Sequence, residues 1–427
     1  MKAEKVVPVQ IILPFVLVTL LFPLWGFAND VTNPMVKAFS RILQMSNFEG
    51  SLVQFAFYGG YFAMAFPAAL FIKRYSYKAG ILVGLGLYAT GALLFIPGSM
   101  MMVFWPFLVA YFTLTCGLSF LETSANPYIL AMGSEETATR RLNLAQSFNP
   151  MGSLLGMFVA QQFILARLDP ATAVERGAMA ADQLAALTAQ DLAVIRTPYL
   201  GIALVLVVVF SAIAVTRMPT YGEDDRSLNV GPTLRRLLGN KRYVAGVVAQ
   251  FFYVAAQIMC WTFIIHYGTM EVGLSEVQAQ GYNMVAMVIF VTSRFICTFL
   301  LKYVSPGGLL LALAVGGGSL TLGTIFLPGM MGLYCLVGVS ACMSLMFPTI
   351  YGIALKGVGE DAKLGAAGLI MAILGGSVMP PLQGAIIDLE TIGIAGVAFP
   401  AVRASFVLVA ICFVVIAHFG WRASSPA

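Results

Sequence analysis

Residues 7–34 read VPVQIILPFVLVTLLFPLWGFANDVTNP, and this stretch decides the fold class. Its first part carries no charge over nearly the length that a helix needs to cross about 30 Å of hydrocarbon. The whole chain of 427 residues is 59% hydrophobic and only 10% charged. A soluble protein does not need so apolar a composition to fill its core. The chain is therefore predicted to lie in a lipid bilayer.

Hydropathy divides the chain into twelve apolar stretches, each close to the roughly 20 residues of a membrane-spanning helix. The alternation that is typical of barrel strands is absent, and such strands are only about half as long. The sequence therefore predicts an all-α membrane protein with 12 transmembrane helices. The predicted spans are 9–36, 48–72, 79–97, 103–132, 141–166, 198–217, 243–268, 278–302, 307–327, 330–355, 364–388 and 402–420.

Basic residues are distributed unevenly between the loops on the two predicted sides. Of the 24 lysines and arginines, 17 lie on the side that holds both termini, six lie on the other side, and Arg294 lies within a span. The positive-inside rule therefore predicts that both termini are cytoplasmic. The net charge of +5 is explained by the membrane and does not indicate a nucleic-acid partner.

Residues that perform catalysis or bind metals are not grouped in this sequence. The six cysteines lie in apolar stretches without paired spacing, and the two histidines are far apart. We find no GxSxG, HExxH or phosphate-binding glycine loop. The sequence predicts no enzyme activity, no metal site and no cofactor other than a coupling ion.

The polar stretch TRMPTYGEDDRSLNVGPTLRRLLGNKRY (216–243) separates two blocks of six spans. FIKRYSYKAGILVGLGL (71–87) in the first block matches LLKYVSPGGLLLALAV (300–315) in the second, since each has a basic residue, then serine, then a glycine-rich helix. This duplication predicts two pseudo-symmetric halves with a solute site between them. The predicted division is 1–217 for the first half, 218–242 for a cytoplasmic linker and 243–427 for the second half.

Three charged residues, Asp30, Glu122 and Arg294, lie well inside predicted spans. A charge near the bilayer centre costs roughly 2.5–3.5 kcal/mol on insertion scales, so such residues usually face a cavity or a partner. Structural ion pairs, or a snorkelling side chain for Arg294, are the alternatives.

The polar neighbours of the two acids favour a solute pathway. Asn29, Asp30 and Asn33 share one helix face, and Pro34 is predicted to bend that helix. Around Glu122, Asn126 lies one turn on, and Pro127 is predicted to break the helix. Span five adds a third polar face before Pro150, which consists of Asn143, Gln146 and Asn149.

Amide groups and aromatic rings together suit a sugar, because amides donate to and accept from hydroxyls while rings pack on the apolar face of a pyranose. In the second half, Tyr253, Gln257 and Trp261 are spaced by four residues on one face, although ordinary helix packing also explains this pattern. A buried carboxyl suits proton coupling, because removal from water favours its protonated form. Sodium coupling is not excluded by the sequence.

Several longer motifs make a resemblance specific: WGFAND, GLSFLETSANPY, RLNLAQSFNPMGSLLG, AQFFYVAAQIMCW and GGSVMPPLQGAIID. They resemble the fucose/galactose/glucose–proton symporters of the major facilitator superfamily, particularly the bacterial L-fucose permeases. The resemblance implies that an aspartate in the first helix and a glutamate in the fourth have proton-linked roles. Glu122 matches the glutamate. Asn33 occupies the place of the family aspartate, and Asp30 lies one turn earlier, about 5.4 Å away along the same face.

The resemblance implies a monomeric symporter of the inner membrane that works by alternating access. The predicted function is proton-coupled import of L-fucose or a related monosaccharide. The alternative is a symporter or facilitator for another hexose or amino sugar, such as glucose, galactose or N-acetylglucosamine. Lys73 and Arg74, in the basic turn after span two, and Arg294 are predicted to act in gating. The alanine-rich loop 167–199 is predicted to be a periplasmic helical hairpin.

Overall fold

The computed structural model describes residues 6–45, 47–221, 230–394 and 397–424. The helices α1 to α20 are, in chain order, Ile12–Thr19, Leu21–Ile42, Asn47–Arg74, Tyr77–Leu93, Phe95–Met101, Trp105–Ala131, Glu135–Gln146, Asn149–Val159, Ala173–Gly177, Ala181–Val215, Val230–Gly239, Lys241–Met270, Glu276–Leu300, Pro306–Phe326, Met330–Met343, Met346–Leu355, Ala362–Met371, Gly375–Ile387, Ala401–Ala404 and Val407–Ser424. A π-helical turn follows α8 at Ala160–Ile164, and the two strands are β1 (Thr391–Ile394) and β2 (Val397–Pro400). Short 3-10 helices lie at Val9–Ile11, Leu165–Arg167, Gly359–Asp361 and Ala372–Leu374.

Helices cover all twelve predicted spans. Ten segments of the described chain are long and apolar enough to cross a membrane by themselves. The second predicted span corresponds to α3, and the fifth corresponds to α7, α8 and the π-helical turn. The prediction of an all-α membrane fold with 12 spans is therefore confirmed in its helices.

Two features differ from the prediction outside the spans. The expected hairpin over 167–199 is wrong in its second arm, because α10 begins at Ala181 and continues without a break through Pro198 to Val215. Alanine, leucine and glutamine dominate the start of α10, and these residues favour helix strongly. The strands β1 and β2, which pair antiparallel before α19, were not predicted from hydropathy.

The prolines in the polar spans have unequal effects. The predicted break at Pro127 is wrong, because α6 continues to Ala131. A membrane helix tolerates a proline where neighbouring groups satisfy the backbone carbonyl that the proline leaves free. Helix α2 continues past Pro34 to Ile42, and the bend expected at Pro34 stays a prediction. At Pro150 the chain does break, since α7 ends at Gln146 and α8 begins at Asn149.

The described residues form two compact units. The first, which we call the N-unit, comprises those of Val7–Met132 and Phe148–Leu228. The second, the C-unit, comprises those of Met1–Val6, Gly133–Ser147 and Asn229–Ala427, and it therefore includes α7. The predicted linker at 218–242 falls partly on residues 222–229, which lie outside the described chain.

The two segments matched in the sequence begin their helices in the same way. Ser76 precedes α4 and its side chain accepts a hydrogen bond from Ala79 N at 3.0 Å. Ser305 precedes α14 and accepts from Gly308 N at 3.2 Å. A serine in this position satisfies a backbone N–H that the helix cannot pair internally. The shared cap gives a physical reason for the serine in both segments.

A short connection outside the predicted membrane spans is fastened by charges. Thr172 and Glu175 form a reciprocal cap at the start of α9, and the backbone hydrogen bond from Thr172 holds the pKa of the Glu175 carboxyl below its usual range. The fully buried Arg176 donates to the Asp191 carboxylate, which also accepts from Asp169 N at 2.9 Å. These bonds tie α9 and the preceding turn to α10.

In the N-unit, α8 packs closely on α2 through small residues. A Cβ at Gly152 would overlap the carbonyl oxygen of Pro23 and lie 2.6 Å from its Cα, and a Cβ at Gly156 would lie 2.7 Å from Phe27 O. Glycines spaced by four residues permit this approach between helices. The contact brings the polar start of α8 against the helix that carries Asp30.

Gly152→Ala tests this packing. We expect a loss of about 1–3 kcal/mol of stability, because the added methyl group meets backbone atoms that cannot move aside. The measurement is the thermal unfolding midpoint of the purified protein in detergent. Gly86→Ala is the matched control, since a Cβ there meets nothing within 4 Å; equal midpoints for the two variants would contradict the expectation.

Candidate functional site

Glu122 lies in the buried middle of α6 and is held by α3. The hydroxyl group of Tyr61, on α3, donates to Glu122 Oε1 at 2.9 Å, and both side chains are buried. Asn126, one turn on, is fully buried as well. The partner that the structure shows for this carboxyl is a neutral hydroxyl group. A carboxyl with this partner can change its protonation state more readily than a carboxyl held in an ion pair.

Asp30 is half-buried on α2, and neighbouring helices supply its polar surroundings. Ser153 of α8 and Tyr58 of α3 lie near the Asp30 carboxyl. Ser153 Oγ donates to Gly26 O, one turn before Asp30, at 3.4 Å. Asn29, the preceding residue, is also half-buried. The Asn33 side chain lies outside the described residues. The structure therefore brings Asp30 together with α3 and α8 inside the N-unit.

Asn149 has a structural contact at the first turn of α8. Its Nδ2 donates to Phe22 O at 3.1 Å, which joins α8 to α2. Gln146 is a C-unit residue at the end of α7. Asn149 belongs to the N-unit, so these two predicted site residues lie in different units.

Arg294 is buried in the C-unit and donates to two backbone carbonyls. Its Nη1 donates to Gln146 O at 2.9 Å, and its Nε donates to Ser344 O. Both oxygens lie at the C-terminal ends of helices, α7 and α15, where carbonyls have no partner within the helix and carry partial negative charge. The guanidinium group also lies over the Phe290 ring, at 4.6 Å. Arg294, which lies on α13, therefore joins the ends of α7 and α15.

The aromatic residues of α12 lie around the same part of the C-unit. Tyr253 is fully buried and interacts electrostatically with Arg294. Trp261 packs edge-on against Phe290 at 4.9 Å, and its Nε1 donates to Ser340 Oγ at 3.3 Å. Gln257, between them on the helix, is half-buried. The predicted stripe is thus in contact with the helices that surround Arg294.

The sequence profile of the Major Facilitator Superfamily matches residues 18–380. The chain belongs to the Major Facilitator Superfamily. It is 52% identical over 426 residues to the L-fucose-proton symporter of Haemophilus influenzae. The aligned residues make up 98% of each chain. It is 36% identical to the L-fucose-proton symporter of Escherichia coli, over 88% of this chain and 87% of that relative.

A solved structure shows the same fold. A crystal structure of a variant of the E. coli fucose:proton symporter matches this chain with a TM-score of 0.88 and 34% identity, covering 97% of this chain and 99% of that one. The predicted resemblance to this superfamily and its fucose symporters is therefore confirmed.

Two polar residues, Gln250 and Tyr61, were not predicted from the sequence. Gln250 lies on the same face of α12 as Tyr253 and Gln257, and both of its side-chain polar atoms are buried without a hydrogen-bond partner in the described chain. The spacing of three and four residues could have revealed it. Tyr61 had no such signal, because a tyrosine in an apolar helix indicates packing as readily as polar contact.

Basic residues lie at the end of α3 and at the start of α4. Lys73 is buried near the end of α3, and Arg74 is exposed. The neighbouring Lys78, which was not singled out, donates to Ala214 O at 2.8 Å and to Thr216 O at 2.9 Å. Like Arg294, Lys78 satisfies carbonyls at the end of a helix, here α10. This contact supports a bracing function for the turn.

Residues that could hold a metal ion do not cluster within the described ranges. The six cysteines are free, and four of them are buried. The polar groups that gather in each unit are instead carboxyl, hydroxyl, amide and aromatic groups. This composition can bind hydroxyl groups and exchange a proton.

Arg294→Lys tests the carbonyl clamp. Lysine keeps the charge but lacks the planar fork that reaches two carbonyls at once, so we expect a loss of about 1.5–3 kcal/mol in stability, measured as the thermal midpoint in detergent. Arg242→Lys, at an exposed position of α12, is the control. A midpoint for Arg294→Lys equal to that of the control would mean that one carbonyl contact is enough.

Proposed function

We propose that this chain is an L-fucose–proton symporter that imports the sugar across the bacterial inner membrane. The observation that carries the proposal is the 52% identity with an L-fucose-proton symporter over 98% of both chains. Two buried polar clusters in membrane-spanning helices give this similarity a chemical basis. Both termini are cytoplasmic in this proposal, and the protein works as a monomer.

Glu122 is the proposed proton carrier. A buried carboxyl with a hydroxyl partner can be charged or neutral, and the two forms differ strongly in their cost within the membrane. Each proton that enters down about 100 mV supplies about 2.3 kcal/mol, which can drive sugar accumulation. Asp30 is proposed to respond to the same proton or to bind the sugar.

The proposed sugar ligands are amides, one carboxyl and aromatic rings. Asn and Gln side chains match hydroxyl groups because one amide both donates and accepts. Tyr253 and Trp261 offer rings for the apolar face of a pyranose. The full set comprises Asn29, Asp30, Asn33, Asn126, Gln146, Asn149, Tyr253, Gln257 and Trp261.

Gating is assigned to three basic residues. Lys73 and Arg74 lie in the last turn of α3, and Arg294 joins the ends of α7 and α15. Contacts of this kind can be exchanged as a transporter alternates between its two access states, because each is a set of hydrogen bonds and not a covalent link.

The decisive experiment measures proton movement on sugar addition. De-energised cells that express the protein are given L-fucose, D-arabinose, L-galactose, D-galactose, D-glucose or N-acetylglucosamine, one at a time. L-fucose and its stereochemical relatives should make the medium more alkaline. No pH change with any sugar, despite verified membrane expression, would contradict proton-coupled sugar import.

Glu122→Gln should abolish this alkalinisation and sugar accumulation, while labelled-sugar exchange persists. The amide keeps the shape of the side chain but carries no titratable proton. Glu175→Gln, at an exposed carboxyl outside the spans, is the control and should behave like the unmodified protein. Full accumulation in Glu122→Gln would remove this glutamate from proton coupling.

Asp30→Asn should weaken sugar binding roughly tenfold to a hundredfold, because a hydrogen bond to a charged group is worth about 1.5–3 kcal/mol. The measurement is calorimetric binding of L-fucose to the purified protein. Asp182→Asn, on an exposed turn of α10, controls for loss of charge alone. Equal affinity in the two variants would place Asp30 outside the sugar site.

A further inference from the structure

Helix α3 presents two tyrosines, Tyr58 and Tyr61, three residues apart and therefore on one face. Tyr61 donates to Glu122 of α6 at 2.9 Å. Tyr58 interacts electrostatically with Tyr61 and with Asp30 of α2. One face of α3 thus carries the hydroxyl bond to Glu122 and a second tyrosine that lies near Asp30.

Two hydrogen bonds at Tyr61 join α3 to α6. Besides the hydroxyl bond to Glu122, the backbone oxygen of Tyr61 accepts from Ser119 Oγ at 3.0 Å. The preceding residue, Gly60, permits the close approach: a Cβ there would lie 2.9 Å from Thr115 Cβ and 3.0 Å from Phe112 O. Tyr61 is therefore held in place by backbone contacts that do not depend on its hydroxyl group.

Titratable groups around the Tyr61–Glu122 contact come from three helices that pack against α6. Tyr58 of α3 and Tyr88 of α4 lie near Tyr61, and Asp30 of α2 lies near Tyr58. Helices α1 and α5, which also contact α6, contain no titratable side chain. Tyr88 donates to Leu24 O at 3.0 Å, so its hydroxyl group is engaged elsewhere. Tyr61 is the member of this set with a described hydrogen bond to the Glu122 carboxyl.

We propose that Tyr61 is a positioning residue that sets the pH at which Glu122 exchanges its proton and that makes the packing of α3 on α6 depend on that proton. The proposal rests on the proton-carrying role proposed above for Glu122. Tyr58 lies on the same face of α3 and near Asp30.

The chemistry requires no covalent change in tyrosine. A proton from water binds the Glu122 carboxylate, and the hydroxyl proton of Tyr61 stays on its oxygen. A hydrogen bond from a neutral donor to a carboxylate is charge-assisted and about twice as strong as a bond to a neutral acid. Protonation of Glu122 therefore weakens one of the two α3–α6 bonds, while the bond from Ser119 remains. Proton binding thereby changes how firmly one spanning helix is held by another.

Infrared titration of the protonated carboxyl band of Glu122, in the purified full chain, tests the proposal directly. Glu122→Gln identifies the band by removing it. In Tyr61→Phe, the titration midpoint should move up by about one pH unit, because a hydrogen bond to the charged form favours that form and the variant loses it. The alkaline loss of sugar uptake should move in the same direction.

Tyr111→Phe is the matched control. Tyr111 is buried in α6 and its hydroxyl group bonds to that of Tyr199 at 2.9 Å, so the variant loses a buried hydroxyl bond that involves no carboxyl. Its Glu122 midpoint should stay unchanged. If Tyr61→Phe folds poorly, a fluorinated tyrosine at Tyr61 provides a second variant: it is a stronger donor and should move the midpoint down.

Two sets of results would contradict the proposal. A midpoint that is unmoved in both Tyr61 variants, or that moves equally in Tyr111→Phe, overturns the proposal and leaves the proton role of Glu122 standing. A carboxyl band that survives in Glu122→Gln, together with unchanged proton coupling in that variant, overturns the proton role and this proposal with it.

Discussion

The hydrocarbon core offers no water to a polar group, so each polar side chain within a span must find its partners in the protein. The buried contacts of this chain follow from that constraint. The Glu122 carboxyl is held by a tyrosine hydroxyl, and Arg294 is held by two carbonyls. The same rule explains why the few intramembrane charges are informative: each marks a place where several helices must supply polar groups together.

Helix ends provide many of these partners. Where α7, α10 and α15 end, their last carbonyls lack intrahelical bonds, and a cation satisfies them in each case, Lys78 for α10 and Arg294 for the other two. A cation bound in this way is held in a defined position because the hydrogen bonds are directional. It can also change position, because one set of carbonyls can be exchanged for another. This property suits elements that change partners during a transport cycle.

The fold was largely predictable from sequence, because hydropathy responds to the same bilayer that forces every span to be helical. The start of α10 was mislocated, since hydropathy does not detect an alanine-rich helix that extends beyond the membrane. The break at Pro127 was wrongly predicted, since a proline inside a membrane helix does not by itself end the helix. The intramembrane charges were identified from their rarity, but Tyr61 and Gln250 were not, because their roles depend on which helices pack together.

The two units satisfy their buried amide groups differently. In the N-unit, the carboxyl of Glu122 and the amides of Asn126 and Asn149 have hydrogen bonds within the protein. The buried amide atoms that lack partners, among the described residues, belong to the C-unit: Asn143, Gln250 and Gln383. An unpaired buried amide costs about 1–3 kcal/mol. The unpaired amide atoms of the C-unit therefore carry a cost that the Glu122 carboxyl, which accepts from Tyr61, does not.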